Sequence, residues 1–522
     1  MNESINIKPI EQELPSEFAD RLGIYYTQQV TVSHKKSNGQ FFTPTLIARL
    51  MASYCDLAKP TLKILDPGCG TAILTCALVE HLVQTRNDIE LIDLVAYETD
   101  PDLISFSQKT LLYLKNWLSH KGIQFNYLLH IHDFILGNAP TLKKDYKGEL
   151  FDIIISNPPY FKLAKDDKRT IATKELVSGQ PNIYSIFMGI AAKLLSANGV
   201  LIFITPRSFA SGSYFKAFRE VFFNAVQIDK IHLFNSRKDT FSRDSVLQET
   251  VIIKATRENI NPAKNVLVSS STGVKDLLKP TTKYFPSSEL IDLNSKEKIL
   301  HLPTSDKEKR ILSLVSTWQT TLSDFNIRIS TGPVVSFRSS NFIQNNYENS
   351  TVFLAPLFWL HNVGKMILEW PKQFKDKGQF IRIEIGSKSV LIPNKNYIFL
   401  RRFSTKDDKS RLIAAPYFCN YVKSDFIGVE NKLNYLYRKD EHLDRNEVVG
   451  LCAVLNSALF DTYFQIFNGN VNVSATELRE MRFPPLNDIK EIGNEIILSN
   501  DYSMNNINQI VNRTFDIETI LN

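Results

Sequence analysis

The sequence predicts an α/β protein, in which a mostly parallel sheet is covered by helices on both faces and is joined to a second, C-terminal domain of mixed α+β structure. The first part rests on residues 62–255, where short β-branched runs alternate with amphipathic stretches of helical length. The second rests on the loss of that alternation after about residue 256, where Ser, Thr, Asn, Pro and Lys become frequent. At 522 residues the chain is also too long for one core, since domains run to roughly 100–200 residues.

Taken in order, LKILD (62–66) reads as a strand and 71–84 as a helix, then LIDLVAYE (91–98) as a strand and 101–118 as a helix. YLLHIHD (127–133) and FDIIIS (151–156) are strands, IYSIFMGIAAKLL (183–195) is a helix, and GVLIFIT (199–205) is a strand. IDKIHLF (228–234) and QETVIIKA (248–255) close the series. The pattern divides the chain into an N-terminal arm (1–34), a catalytic domain (35–256), a linker or start of a second domain (257–310), a second domain (311–500) and a loosely held tail (501–522). One apolar helix is expected at 448–467.

Five cysteines lack CxxC or Cys/His ligand spacing, which argues against a zinc site and a disulfide framework and fits a reducing compartment. No metal is expected. No basic-then-apolar leader opens the chain and no apolar run suits a bilayer, so a cytoplasmic, prokaryotic-type protein is expected. The net charge of +6 is unevenly spread, with 17 Lys/Arg against 10 Asp/Glu over 365–445. Such a stretch suits phosphates, and on charge alone it reads equally as a lysine-rich solvated surface.

In a parallel α/β sheet the ligand lies beyond the carboxyl ends of the strands, so residues directly after strands carry the information. Asp66-Pro67-Gly68-Cys69-Gly70-Thr71 follows the first strand and opens a helix, where glycines admit a ligand close to the backbone and the helix start offers free N–H groups. Glu98 ends the second strand, where a carboxylate can accept ribose hydroxyls. Asp133 and Phe134 follow the third, placed to take an adenine amino group and to lie on the purine. Each acid alone is more often a helix cap or a solvated side chain. Three at successive strand ends point to a nucleoside cofactor. GxxxxGK[ST] and GxGxxG are both absent, and S-adenosylmethionine, which has no pyrophosphate, qualifies.

Asn157-Pro158-Pro159-Tyr160 follows the fourth strand. Two prolines remove two N–H donors, so the segment presents carbonyl oxygens. The Asn157 side-chain oxygen and the Pro158 carbonyl can accept both hydrogens of a planar amino group, and Tyr160 offers a flat face to a base. A proline turn ending a strand is common, but this tetrapeptide pattern arises by chance in roughly 1% of chains of this length.

The order FFTP (41–44), DPGCGT (66–71), ETD (98–100), HDF (132–134) and NPPY (157–160), followed by a large C-terminal half, resembles the gamma-class DNA adenine-N6 methyltransferases of type II restriction–modification systems, TaqI-like and BsuBI/PstI-like. The resemblance implies a class I S-adenosylmethionine-dependent methyltransferase fold, Rossmann-like, with the C-terminal domain as a target-recognition domain. It further implies that Gly39 to Pro44, including Thr43 and Pro44, fold over the cofactor, and that Asp66, Gly68, Gly70, Glu98, Asp133, Phe134 and Asn157 line it. Asn157, Pro158, Pro159 and Tyr160 would engage a flipped adenine, and Phe241 is the candidate for the base's other face, although a core aromatic is as common there. Double-stranded DNA is the implied partner, with a cognate restriction endonuclease as a genetic one and a monomer or weak dimer as the assembly. In the second domain, Ser330 to Pro333 precedes Arg338, and Asn470–Arg479 reads as a polar turn and then a helix capped by Ser474 with Glu477 in the capping-box position, which resembles a segment recurrent in such domains. The same tetrapeptide on this fold leaves open rRNA, a protein glutamine or N4 of cytosine as acceptor.

Overall fold

The computed structural model describes residues 7–31, 33–34, 39–143, 145–234, 250–273, 276–277, 279–345, 353–375, 377–403, 410–467 and 473–517. Phe241 and Asn470–Asn472 lie outside them. Two compact units form, Met1–Thr304 and Ser305–Asn522.

The first unit holds a nine-stranded sheet in the order β3-β2-β1-β4-β5-β7-β6-β8-β9. Its strands are β1 Thr61–Pro67, β2 Leu91–Tyr97, β3 Gln124–His130, β4 Phe151–Ser156, β5 Leu195–Pro206, β6 Gln227–Phe234, β7 Thr250–Thr256, β8 Asn265–Ser271 and β9 Thr281–Pro286. β3, β2, β1, β4 and β5 run parallel, so their carboxyl ends share one edge. β7 inserts antiparallel between β5 and β6. Strand order reverses between β1 and β4, and the crevice there is the ligand position for this topology. The near-continuous burial of β4 and β5 shows why both faces need helices, among them α3 (Ile73–Thr85), α4 (Pro101–Ser119) and, after the short α5 (Phe134–Asn138) and α6 (Lys168–Ala172), α7 (Ile183–Leu194).

Two expected boundaries move. Residues 257–304 do not form a linker, because β8 and β9 extend the sheet. Their Ser/Thr content hid them, yet Ser269 and Ser271 are core residues that hydrogen-bond the two ring nitrogens of buried His232 at 2.8 and 3.0 Å. The N-terminal segment is not a detached arm either. Helix α1 (Pro15–Gln29) buries Phe18, Leu22 and Tyr26, and Ser16 bonds the Glu80 carboxylate of α3 through its N–H at 2.6 Å and its hydroxyl at 2.7 Å. A short helix α2 (Thr45–Ala52) follows the 39–44 segment.

The second unit is mixed α+β, with a four-stranded sheet, a five-stranded sheet and helices between 445 and 514. The apolar stretch 448–467 is two helices, Arg445–Asn456 and Ala458–Phe467, bent by 58° at the intervening break. Among the described residues no single helix is long and apolar enough to cross a membrane, and this bent pair meets the test by length and composition only. Val448 to Leu455 are buried inside the unit. The C-terminal tail is held more firmly than expected, since Met504–Thr514 is a helix that buries Ile507, Ile510 and Val511.

Candidate active site

The carboxyl edge of the parallel strands encloses a cavity of about 540 Å³, within the range of small-molecule sites. Thr43, Gly68, Gly70, Glu98, Asp133, Phe134, Asn157 and Pro159 all line it. Residues from five separate segments therefore meet, as the strand-end argument requires.

Glu98 is held at the end of β2 by three backbone N–H groups. Oε1 accepts from Thr99 and Asp100, both at 2.8 Å, and Oε2 accepts from Gly70 at 3.0 Å. Burial raises its pKa, and these bonds from Asp100, Thr99 and Gly70 pull the other way. A carboxylate has about four lone-pair sites, so Oε2 is the freer acceptor. Gly70 can supply its N–H because its backbone turns at φ 57°, a region closed to most side chains.

Asp133 is a helix cap as well as a wall of the cavity. Its Oδ1 accepts from Leu136 N at 2.9 Å, and its Oδ2 lies 3.7 Å from Arg169 Nη1. Phe134 packs at 4.9 Å, centroid to centroid, on Phe187 of α7.

Asp66 does not line the cavity. It lies 1% exposed beneath the glycine turn, with Oδ2 accepting from Thr75 Oγ1 at 2.7 Å and Oδ1 without a hydrogen-bond partner. Burial pushes its carboxyl up to about 7, the Glu98 charge adds to the rise and the Thr75 bond opposes it. Between about pH 4 and 7 the unfolded chain therefore ionises this group while the folded chain keeps its proton. Stability of the ligand-free protein should fall as pH rises through that window, and Asp66→Asn should flatten the fall. Thermal denaturation across the window checks this, and equal slopes for the two proteins would refute it.

Asn157 is oriented by partners distant in the chain. Its Nδ2 donates to Phe41 O at 2.9 Å and to Thr43 Oγ1 at 3.0 Å. Its Oδ1 lies 2.6 Å from the Tyr160 hydroxyl, which also lies 3.0 Å from Ile204 O. The amide oxygen has two lone pairs, so one stays available to an incoming amino group. Ser156 Oγ donates to Pro67 O at 2.8 Å and ties the start of the tetrapeptide to the end of β1.

Tyr160 differs from expectation. Its ring is 7% exposed and does not line the cavity, and Phe41 lies 5.4 Å away at a 32° tilt. Dense packing leaves it little free face, and a base stacking there needs Phe41 to move. Pro44 caps α2 and Pro158 is buried, and neither lines the cavity. Phe187 and Arg169 also line the cavity, and neither follows a strand end. Phe187 was findable, because it stands one turn from Ile183 on the same face of α7, and both line the cavity. Arg169 follows a charged run (Asp166 to Lys168) that carries no periodic signal.

A parallel sheet with its cavity at the switch point, a glycine turn after β1 and acids after β2 and β3 defines the class I S-adenosylmethionine-dependent methyltransferase fold. Within that class, the chain belongs to the gamma-class methyltransferases of type II restriction–modification systems. It is 30% identical over 479 residues to the type II methyltransferase M.PstI of Providencia stuartii, covering 92% of this chain and 93% of that one. To M.BsuBI of Bacillus subtilis it is 34% identical over 477 residues, covering 89% and 91%. A family profile described as Eco57I restriction-modification methylase matches residues 86–241. Among solved structures, the type IIG restriction endonuclease BpuSI aligns at 13% identity with a TM-score of 0.45, over 93% of this chain and 63% of that one, and a likeness so slight adds no weight. S-adenosylmethionine is the cofactor of this family.

Proposed function

We propose that this chain methylates N6 of an adenine swung out of duplex DNA, at a specific site, and so protects that DNA from a cognate restriction endonuclease. The observation that carries the reading is the fixed Asn157 amide, which lines the same cavity as Glu98, Gly70 and Asp133.

The residues present fit S-adenosylmethionine. Cavity size suits a nucleoside joined to an amino acid, Glu98 Oε2 suits a ribose hydroxyl, Asp133 Oδ2 an adenine amino group and Phe134 a purine face. Asp66, buried beneath the glycine turn, supports that turn from below and does not itself reach the cavity. When bound, the cofactor supplies an electrophilic methyl group. The chain's part is to hold the target amine at Asn157 Oδ1 so that its lone pair faces that methyl, a catalysis of position and polarisation. No general base is needed before attack.

Extruding a base costs a few kcal/mol, and the second unit, with the basic stretch 365–445, is the natural surface for holding the surrounding duplex. We assign it target recognition, and place the protein in the cytoplasm with the DNA it modifies. N4 of cytosine poses the same positioning problem, and its product is distinguishable. Tritiated cofactor offered with duplex DNA, rRNA and a release factor should label the DNA alone, and nucleoside digestion should return N6-methyladenine. Label in rRNA or protein instead would end the DNA reading, and N4-methylcytosine would replace adenine as the acceptor.

A further inference from the structure

Asp100 gathers three side chains that the reaction described above leaves without a role. Its Oδ1 accepts from Asp102 N at 2.9 Å and caps α4, which is all that a helix cap needs. Its Oδ2 accepts from Gln40 Nε2 at 2.6 Å and from the Tyr26 hydroxyl at 2.8 Å, with His34 Nε2 at 3.2 Å. These partners lie 60, 74 and 66 residues away in the chain, so local helix geometry does not bring them together. Burial works to raise the Asp100 carboxyl, but the hydrogen bonds from Gln40, Tyr26 and His34 outweigh it and hold the group below the usual carboxylate range. The bonds are therefore charge-assisted.

The two ends of this arrangement reach the active site. Asp100 N is one of the three amides that hold Glu98. Gln40 begins the segment whose Phe41 O and Thr43 Oγ1 take both amide hydrogens of Asn157. That segment is seated on the tetrapeptide itself, with Tyr160 N donating to Gly39 O at 3.3 Å. Gly39 has φ 60°, and a Cβ there would stand 2.7 Å from Tyr160 N, so only glycine allows the approach.

We propose that Asp100 is a positioning residue: by holding Gln40 it seats residues 39–44 on the Asn-Pro-Pro-Tyr tetrapeptide, and through Phe41 and Thr43 it sets the rotation of the Asn157 amide. It thereby links the wall of the cofactor cavity at Glu98 to the group that holds the substrate amine. The inference rests on the role of Asn157 given under Proposed function.

The test compares the full-length protein with Asp100→Asn and with the double variant Asp100→Asn, Gln40→Glu. Asparagine keeps an oxygen for the α4 cap, so melting temperature should hold, but it turns an NH2 group toward the donors of Gln40 and Tyr26. In the protein without cofactor or DNA, hydrogen exchange at the Tyr160 amide, which donates to Gly39 O, should rise by about tenfold or more, while exchange in β1 and β4 stays unchanged. Single-turnover transfer to DNA, with cofactor and DNA both saturating, should fall about 100-fold. The double variant reverses donor and acceptor across the pair and should recover both readouts. Unchanged exchange, a rate fully restored by excess cofactor, or no recovery in the double variant would each overturn the proposal. Should Asp100→Asn not fold, Gln40→Ala at a half-buried position carries the same two readouts. A wild-type protein that labels no DNA would end the functional reading instead, while the exchange arm would still decide whether Asp100 seats the segment.

Discussion

Asn157→Ala is expected to slow methyl transfer to DNA by about 100- to 1,000-fold at saturating cofactor and DNA, the size of effect seen when one polarising group is removed from an active site. The amine of a nucleobase is planar and its lone pair is delocalised, so it reacts only when held with that lone pair toward the methyl group. Asn157 Oδ1 is the acceptor that the surroundings fix in place, through Phe41 O, Thr43 Oγ1 and the Tyr160 hydroxyl. Removing it also frees the 39–44 segment from two hydrogen bonds, each worth about 0.5–1.5 kcal/mol. Those two bonds together, about 1–3 kcal/mol, bound any loss of cofactor affinity to roughly 5- to 150-fold, and saturating cofactor offsets it, so the fall in rate reports the chemical step. Rapid-quench single-turnover kinetics with separately titrated cofactor distinguishes the two, and a near-normal rate in the variant would remove Asn157 from the mechanism. Asn157→Asp should lie between the two proteins, because it keeps an acceptor but sets a carboxylate against the Phe41 carbonyl.

Glu98→Ala is the second large effect expected, and it falls on binding. The variant loses the acceptor assigned to the ribose and strands the N–H groups of Gly70, Thr99 and Asp100. Hydrogen bonds to a charged group contribute about 1.5–3 kcal/mol each, so loss of one to the ligand alone predicts a ~10–100-fold rise in Kd for S-adenosylmethionine. Calorimetry reads the affinity directly. A Kd within about threefold of wild type, with melting temperature unchanged, would show that the carboxylate serves the turn and not the ligand.

How much of this was legible in the sequence depends on the range of the interaction. β1 through β7 fall close to their expected positions, because short β-branched runs and the turn residues between strands are local properties. The convergence of Gly68, Gly70, Glu98, Asp133, Phe134 and Asn157 on one cavity was legible for the same reason, since each directly follows a parallel strand. β8 and β9 were not legible, because their serines and threonines read as linker until His232 is set beside them. The bend at Ser457 escaped as well, because an unbroken apolar run carries no signal for a break when both halves are buried.

The sequence by itself determined the sheet's first seven strands, the strand-end acids and the tetrapeptide that carries the acceptor oxygen. Each of those depends on residues within a few positions of one another, where backbone propensity and turn chemistry decide. Tertiary structure alone decided that Asp66 is buried off the cavity and that Tyr160 is packed behind Phe41. It decided also that the Asn157 amide is turned by residues up to 116 positions away, under a segment pinned to Asp100. Those contacts exist only once α1 and the sheet have packed together, because a side-chain rotation is set by whatever neighbour the fold delivers, and no local pattern encodes that neighbour.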